Sequence, residues 1–406
     1  MHPRLLLALP VLAGALVAAE PAPRDTGYRG IWFDLGQRSE HGSKYSGGLA
    51  TYTVSHVPLA IYAAPVRKTF FVYGGCKPES RHLLAMAGCF DHETQTFCRP
   101  VIVHDKGGVD DPHDNPSIAL DGQGHVWVFV SGRGKKRPGF KYRAVEPYSI
   151  DAFERISEEE MTYPQPWWVE GRGFIHLFTK YTGVRELYWN TSKDGRTWTT
   201  DRKLAGMGGH YQISNRRDER VVTAFNMHPG GDADQRTNLY VLYTDDLGET
   251  WRTMDGQAVQ TPLKDPQCSA LVRDYRAEKR LVYLMDLNFD AQGRPVVLLL
   301  SSGSHQPGPQ GDPRTWTVAH WTGERWLFHE VTRSTHNYDV GSLYVEADGL
   351  WRIVGPTEPG PQQLGTGGEM AVWLSRNDGK TWTRDRLLTS GSEFNHAYAR
   401  RPVNAQ

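Results

Sequence analysis

Two eight-residue stretches, Thr244-Asp245-Asp246-Leu247-Gly248-Glu249-Thr250-Trp251 and Ser375-Arg376-Asn377-Asp378-Gly379-Lys380-Thr381-Trp382, follow one pattern: hydroxyl, any, Asp or Asn, any, Gly, any, Thr, Trp. A slipped copy, Ser192-Lys193-Asp194-Gly195-Arg196-Thr197-Trp198, comes after Trp189. Looser forms precede Trp127 (Asp121-Gly122-Gln123-Gly124) and Trp351 (Asp348-Gly349). The pattern reads as a β-hairpin turn: Asp or Asn bonds the turn backbone, Gly supplies φ > 0, and the closing Trp packs between sheets. Repetition at roughly 50 residues is the mark of propeller blades, each a four-stranded sheet too small to bury its own face.

Behind a leader, about 385 residues remain, too many for one ordinary core but suited to six to eight blades of roughly 50 to 55 residues. The expectation is an all-β fold, a seven-bladed β-propeller with four-stranded antiparallel blades, filling residues 20–406 as a single domain. Thirteen Trp, eighteen Tyr and forty-two Gly agree with many short strands joined by tight turns. The one helix-like stretch lies near Ile150 to Glu160. Tyr28 to Phe33 is expected to complete the final blade beside Phe394 to Arg401, which would remove the exposed sheet edges.

Residues 1–19 carry Arg4, an apolar run from Leu5 to Val17, and Val17-Ala18-Ala19 before Glu20, the pattern of a secretory signal peptide cut near Ala19. The run is short for a membrane span and no Cys at the cut accepts lipid, so the expected product is soluble, monomeric, and secreted or periplasmic. Export permits disulfides. Cys89 and Cys98 flank the turn Asp91 to Thr96 and should face each other in a hairpin, either bonded or as two thiols. Cys76 reads as a small buried hydrophobe, as does Cys268 in the absence of a metal. Formal net charge is zero, so no global field favours nucleic acid or membrane insertion. Arg133 to Arg143 nevertheless holds six cations and no acid, either a solvated loop or a rim that attracts an acidic polymer.

Function in propellers sits where loops converge at one end of the channel. Four segments qualify. Asp110 to Ile118 is a proline-fixed loop carrying His113 and Asn115. Thr162 to Trp168 carries Tyr163, followed by Lys180. Gly208 to Ser214 carries His210 and Tyr211; with His228 and Cys268 it offers three acceptable zinc ligands from separate strands, against a reading in which each is structural. The last group is His336-Asn337-Tyr338-Asp339, Glu358, Glu369 and Asn395-His396, which either lines the channel or closes the ring.

Gly27-Tyr28-Arg29-Gly30-Ile31-Trp32, Lys44 to Leu49, His56 and Pro58, His113-Asp114-Asn115-Pro116, Tyr163-Pro164-Gln165-Pro166 and Gly209-His210-Tyr211-Gln212 together resemble the BNR-repeat (Asp-box) propellers that include the ulvan lyases. The resemblance implies β-elimination at a uronic acid in an acidic polysaccharide. His113 and Tyr163 would transfer protons, Arg133 and Lys180 would hold the carboxylate, and Asn115, His56 and Tyr211 would line the groove. That chemistry requires no cofactor, leaving Zn or Ca as a structural possibility. Two departures stand out: Ser131-Gly132-Arg133 occupies the place of a second catalytic His, and Lys180 the place of an Arg. A related propeller group hydrolyses rhamnose–glucuronate linkages with a histidine that His56 resembles, whereas ordinary two-carboxylate hydrolysis would fall to Glu358 and Glu369. A non-catalytic carbohydrate-binding propeller would use the same basic loop and aromatics.

Overall fold

The Asp or Asn of each repeat closes its turn through the backbone in the computed structural model, which describes residues 38–44, 54–78 and 80–405. Asp246 Oδ1 accepts from Thr250 N at 2.9 Å, Asn377 Oδ1 from Thr381 N at 3.0 Å, and Asp194 Oδ1 from Thr197 N at 2.9 Å. Gly195 and Gly248 take φ of 74° and 84°. A Cβ at either would lie 2.3 Å from an indole of the preceding sheet, Trp127 and Trp189 respectively. The turn is thus also a packing joint between neighbouring blades.

Six antiparallel sheets follow one another in chain order, and we number them as blades 1 to 6. Their innermost strands are Ala60–Ala63, Pro116–Leu120, Thr162–Val169, Gln212–Arg217, Leu281–Phe289 and Ser342–Val345. Blades 2, 3, 5 and 6 are four-stranded, while blades 1 and 4 assemble their outer edges from short pieces such as Thr96–Phe97 with Val101–Asp105. The expected seven blades are therefore six. The length-based count assigned to blades residues that do other work: blade 4 absorbs an extra hairpin at Trp251–Arg252 and Ala258–Val259, and the chain beyond Thr383–Leu387 forms no further blade strand. The helix-like stretch near residues 150–160 is also corrected. Phe153–Glu159 is the outer strand of blade 2, paired with Gly139–Ala144, and its run of charges reflects an edge strand facing solvent. Among the described residues no helix is long and apolar enough to cross a membrane.

Buried clusters weld successive blades: Val72, Val128 and Ile118 between blades 1 and 2; Trp127, Phe129 and Phe174 between 2 and 3; Trp189, Phe225 and Trp251 between 3 and 4; Val241, Leu299 and Phe289 between 4 and 5; Trp316, Leu298 and Trp351 between 5 and 6. Blades 6 and 1 meet differently. The C-terminal segment lies between them, with Val340 and Tyr398 paired in parallel on one side and Ile61 and Val403 on the other. Val403 N donates to Ala60 O and Tyr62 N to Val403 O, each at 2.8 Å. Arg400 Nη1 reaches Met285 O at 2.6 Å and Nη2 reaches Val54 O at 2.7 Å. Tyr28 to Phe33, expected to share this closure, and residues 1–19 lie outside the described residues.

Cys89 and Cys98 do face each other. Cys98 N donates to Cys89 O at 2.9 Å and Cys89 N to Cys98 Sγ at 2.8 Å, and both are thiols.

Candidate active site

Each inner strand starts at the same face of the ring, opposite the Asp-box turns. The loops joining second and third strands open on that face too. At the six entries stand His56, His113, Tyr163, Tyr211, Tyr283 and Tyr338, one side chain from each blade. His56 meets Tyr163 edge-on at 5.1 Å between ring centroids, His113 lies 5.7 Å from Tyr163, and Tyr163 lies 5.6 Å from Tyr211. Tyr283 and Tyr338 are 5.4 Å apart. A central cavity is lined by Tyr163, Tyr211, Asn226, Arg236, Tyr283 and Tyr338.

Local backbone chemistry places each group. Tyr163 has φ of 54°, rare for an aromatic residue, at a bulge before Pro164. Its N–H donates to Ser131 Oγ at 3.1 Å, and Ser117 Oγ donates to Pro164 O at 2.8 Å, so blade 2 clamps the bulge of blade 3. Ser131, where the resemblance expects a histidine, is thus a backbone clamp. His113 sits in a single 3₁₀ turn, Pro112–Asp114, whose N-cap Asp111 accepts from His113 N at 3.0 Å. Asp111 also accepts from His113 Nδ1, leaving Nε2 as the acceptor nitrogen of the neutral ring. Burial pushes His113 down to about 3, although Asp111 pulls the other way, so the imidazole is neutral at pH 7.

Asp111 is itself held. Burial opposes its ionisation, yet the bonds from His113 and Arg137 keep its carboxyl well below the usual carboxylate range. Arg133 Nη1 and Arg137 Nη2 reach Asp111 Oδ2 at 3.0 and 2.7 Å. Arg137 continues to Asp114 at 2.9 Å, and Asp114 to Lys106 at 2.8 Å. Arg133 and Arg137 of the basic loop thus belong to a charge ladder under His113, Lys141 and Arg143 pair with Glu159 and Asp121, and Lys135 and Lys136 are exposed. His56 Nε2 is 3.1 Å from His113 O. Asn115 is buried, and its amide finds no hydrogen-bond partner.

Lys180 is placed elsewhere. It pairs with Asp201 at 2.9 Å and Glu160 at 4.0 Å. The reason is strand parity: Lys180 and Glu186 are cross-strand partners, whereas the next pair, Tyr181 and Arg185, projects on the other side. Arg185 stacks over Tyr163, Tyr181 and Tyr211 at 5.2, 5.2 and 4.7 Å and donates to Tyr181 Oη at 2.7 Å. A second guanidinium, buried Arg236, lies over Tyr211 and Tyr283 at 4.7 and 4.6 Å and reaches Tyr338 Oη at 3.0 Å. Burial would raise the Tyr211 hydroxyl, but Arg185 and Arg236 outweigh it and hold it below the usual phenol value, with Tyr163 as a hydrogen-bond partner. Arg185 and Arg236 are the residues that sequence reading missed. The cross-strand pairing of Tyr181 with Arg185 about Gly183 was the available signal for the first; Arg236, in a loop, carried none.

The zinc set is not assembled: among the described residues no group of three or more His, Cys, Asp or Glu side chains is arranged to hold a metal. His210 uses Nδ1 on Asn226 O at 2.8 Å and Nε2 on Met207 N at 3.3 Å, His228 packs edge-on to Tyr211, and Cys268 lies against the core between blades 3 and 4. Glu358 is engaged by Arg384, and Glu369 by Thr389 and Ser392, so the nominated carboxylate pair is occupied in blade 6 and does not line the central cavity.

Residues 89–339, more than half of the chain, match the BNR repeat-containing family. The chain belongs to that family. The chain is 20% identical over 319 residues to an ulvan lyase of Pseudoalteromonas sp. (strain PLSV) and, to the same extent, to one of Alteromonas sp. (strain LOR). Each match covers 66% of this chain and 64% of the relative, so this BNR-repeat chain spans less than two thirds of the curated relatives' length. Among solved structures, an ulvan lyase of polysaccharide lyase family PL25 aligns with a TM-score of 0.69 at 14% identity, covering 82% of this chain and 83% of that one. The same enzyme has been solved bound to -[GlcA(1-4)Rha3S]-. The polysaccharide lyase Uly1 aligns with a TM-score of 0.63 at 13% identity over 91% of both chains. At such identities these structures establish the shared fold.

Proposed function

We propose that this protein is a polysaccharide lyase that cleaves an ulvan-like, uronate-containing polymer by β-elimination. The observation that carries the reading is the meeting of a neutral, Asp111-oriented His113 with two guanidiniums over the Tyr163 and Tyr211 rings. Elimination needs the uronate carboxylate neutralised, the C5 proton taken and the leaving oxygen protonated. Arg185 and Arg236 are the cations positioned for the carboxylate, replacing Lys180 in that part. His113 Nε2 takes the C5 proton, the C5–H electrons form the C4–C5 double bond, and the C4–O bond breaks. The Tyr163 hydroxyl gives its proton to the departing glycosidic oxygen. No step calls on a metal. The similarity to ulvan lyases and the shared propeller support the same reading, and the leader-like residues 1–19 extend it to a secreted or periplasmic enzyme.

Incubation with ulvan tests it. Elimination creates an unsaturated uronate with strong ultraviolet absorbance, at a rate that His113→Ala abolishes. New reducing ends without absorbance would mean hydrolysis. Retention of polymer with neither product would mean a binding module, the reading that Ser131 in place of a second histidine favours.

A further inference from the structure

Beside the central cavity, between the loops of blades 4 and 5, lies a second cleft of about 380 Å³. Arg276, Lys279, Arg280 and His305 line it, and no carboxylate does. The tight loop before blade 5 presents the first two: Arg276 N bonds to Asn238 Oδ1 at 2.9 Å, and Lys279 N to Arg276 O at 3.0 Å. Arg280 is fixed by Ser301 O at 2.9 Å and by Pro313 O. The acids nearby are already engaged. Glu278 forms a two-pronged pair with Arg273 at 2.7 and 2.9 Å, Asp274 holds Gln267 at 3.0 Å, and Asp234, 3.6 Å from His305, pairs with Lys44. Arg276 and Lys279 face solvent.

The cleft and the central cavity share a wall. Gln235 and Thr237, which line the cleft, flank Arg236, which lines the cavity. Ser304, in the cleft, accepts through its carbonyl from Asn337 Nδ2 at 2.8 Å, and Asn337 lines the cavity. A polymer lying across this face with an acidic sugar over Arg185 and Arg236 would carry its neighbouring sugar into the cleft. A cationic cleft of that size is built for an anionic substituent on a sugar.

We propose that this cleft is a subsite for the sulfate ester on the sugar adjacent to the uronate. The proposal rests on the lyase reading for the placement of the uronate, and its binding arm does not depend on turnover. The test compares wild type with the double variant R276A/K279A, which removes two exposed cations that are not part of the proposed catalytic site. KM and kcat are measured on ulvan and on chemically desulfated ulvan, and retention of both polymers is measured by affinity electrophoresis. The expected result is a KM for ulvan raised about fivefold, in keeping with the loss of exposed charge contacts, with kcat unchanged and no difference on the desulfated polymer. Equal KM values on native ulvan would overturn the proposal. An equal loss on both polymers would also overturn it, assigning the cleft to a carboxylate. If wild type cleaves neither polymer, the lyase reading fails by itself. Retention of the sulfated polymer that the variant lacks would then still support the cleft, and identical retention would overturn it.

Discussion

Replacing Arg185 by Gln separates catalysis from scaffold. The guanidinium is within about cation–π range of three tyrosine rings, at 5.2, 5.2 and 4.7 Å, and donates to Tyr181 Oη at 2.7 Å. Losing three ring contacts at roughly 0.5 to 1 kcal/mol each predicts a lower melting temperature without unfolding. The catalytic effect is larger. A preorganised cation on the developing charge contributes on the order of 2 to 4 kcal/mol, so kcat/KM should fall roughly 30- to 1,000-fold. Arg185→Lys keeps the charge and loses the planar fork, an intermediate loss of about tenfold for one charge-assisted bond. The continuous assay is the absorbance of the unsaturated uronate. A second readout is the Tyr211 hydroxyl, which Arg185 and Arg236 hold down. Its titration should move upward in Arg185→Gln, seen as tyrosinate absorbance appearing at higher pH. A folded Arg185→Gln protein that keeps kcat/KM within about threefold of wild type would refute the assignment of Arg185 to the carboxylate.

Because burial drops His113 to about 3, kcat/KM should show no imidazole inflection between pH 7 and 5; a His113 imidazole that NMR shows titrating near pH 6.5 would contradict this. His113→Ala should also lower the melting temperature, since it leaves Asp111 without one of its partners. Burial raises Asp339 to about 7, so the stability it contributes is complete below pH 4, near its ordinary value of 3.8, and is lost as pH rises through 7. Asp339→Asn should therefore gain on wild type in melting temperature across that window, and a pH-independent difference would refute the linkage. Deleting residues 398–406 removes the bonds of Arg400 and Val403, on the order of 5 to 8 kcal/mol. A cooperative melt within a few degrees of wild type would show that the segment is dispensable.

The repeated turns were legible because their information is local: hydroxyl, Asp and Gly act within eight residues, and the Trp partners follow from the blade repeat. The placement of Cys98 opposite Cys89 was legible for the same reason. The number of blades was not, since nothing in Phe394 to Arg401 says whether it extends a sheet or lies between two. The entry residues His113 and Tyr163 could be nominated from proline-fixed entries into strands, and Tyr211 from the polar segment Gly208 to Ser214. Lys180 could not be told from Arg185 without the register of one hairpin, where a shift of a single residue decides which cation faces the tyrosines. Arg236 follows two 3₁₀ turns in a loop, and only the packed ring reveals that it meets three blades.

The contacts of Val403 with blade 1 and of Tyr398 with blade 6 set an order of events during synthesis. The residues that bridge the first and last blades leave the ribosome only after the strands of all six blades. Five blade interfaces can form as the chain emerges, but the seam between blades 6 and 1 waits until Tyr398 and Val403 have emerged. Until then the nascent chain is an open arc with two unsatisfied faces, and whatever disturbs residues 398 to 403 disturbs the latch that closes it.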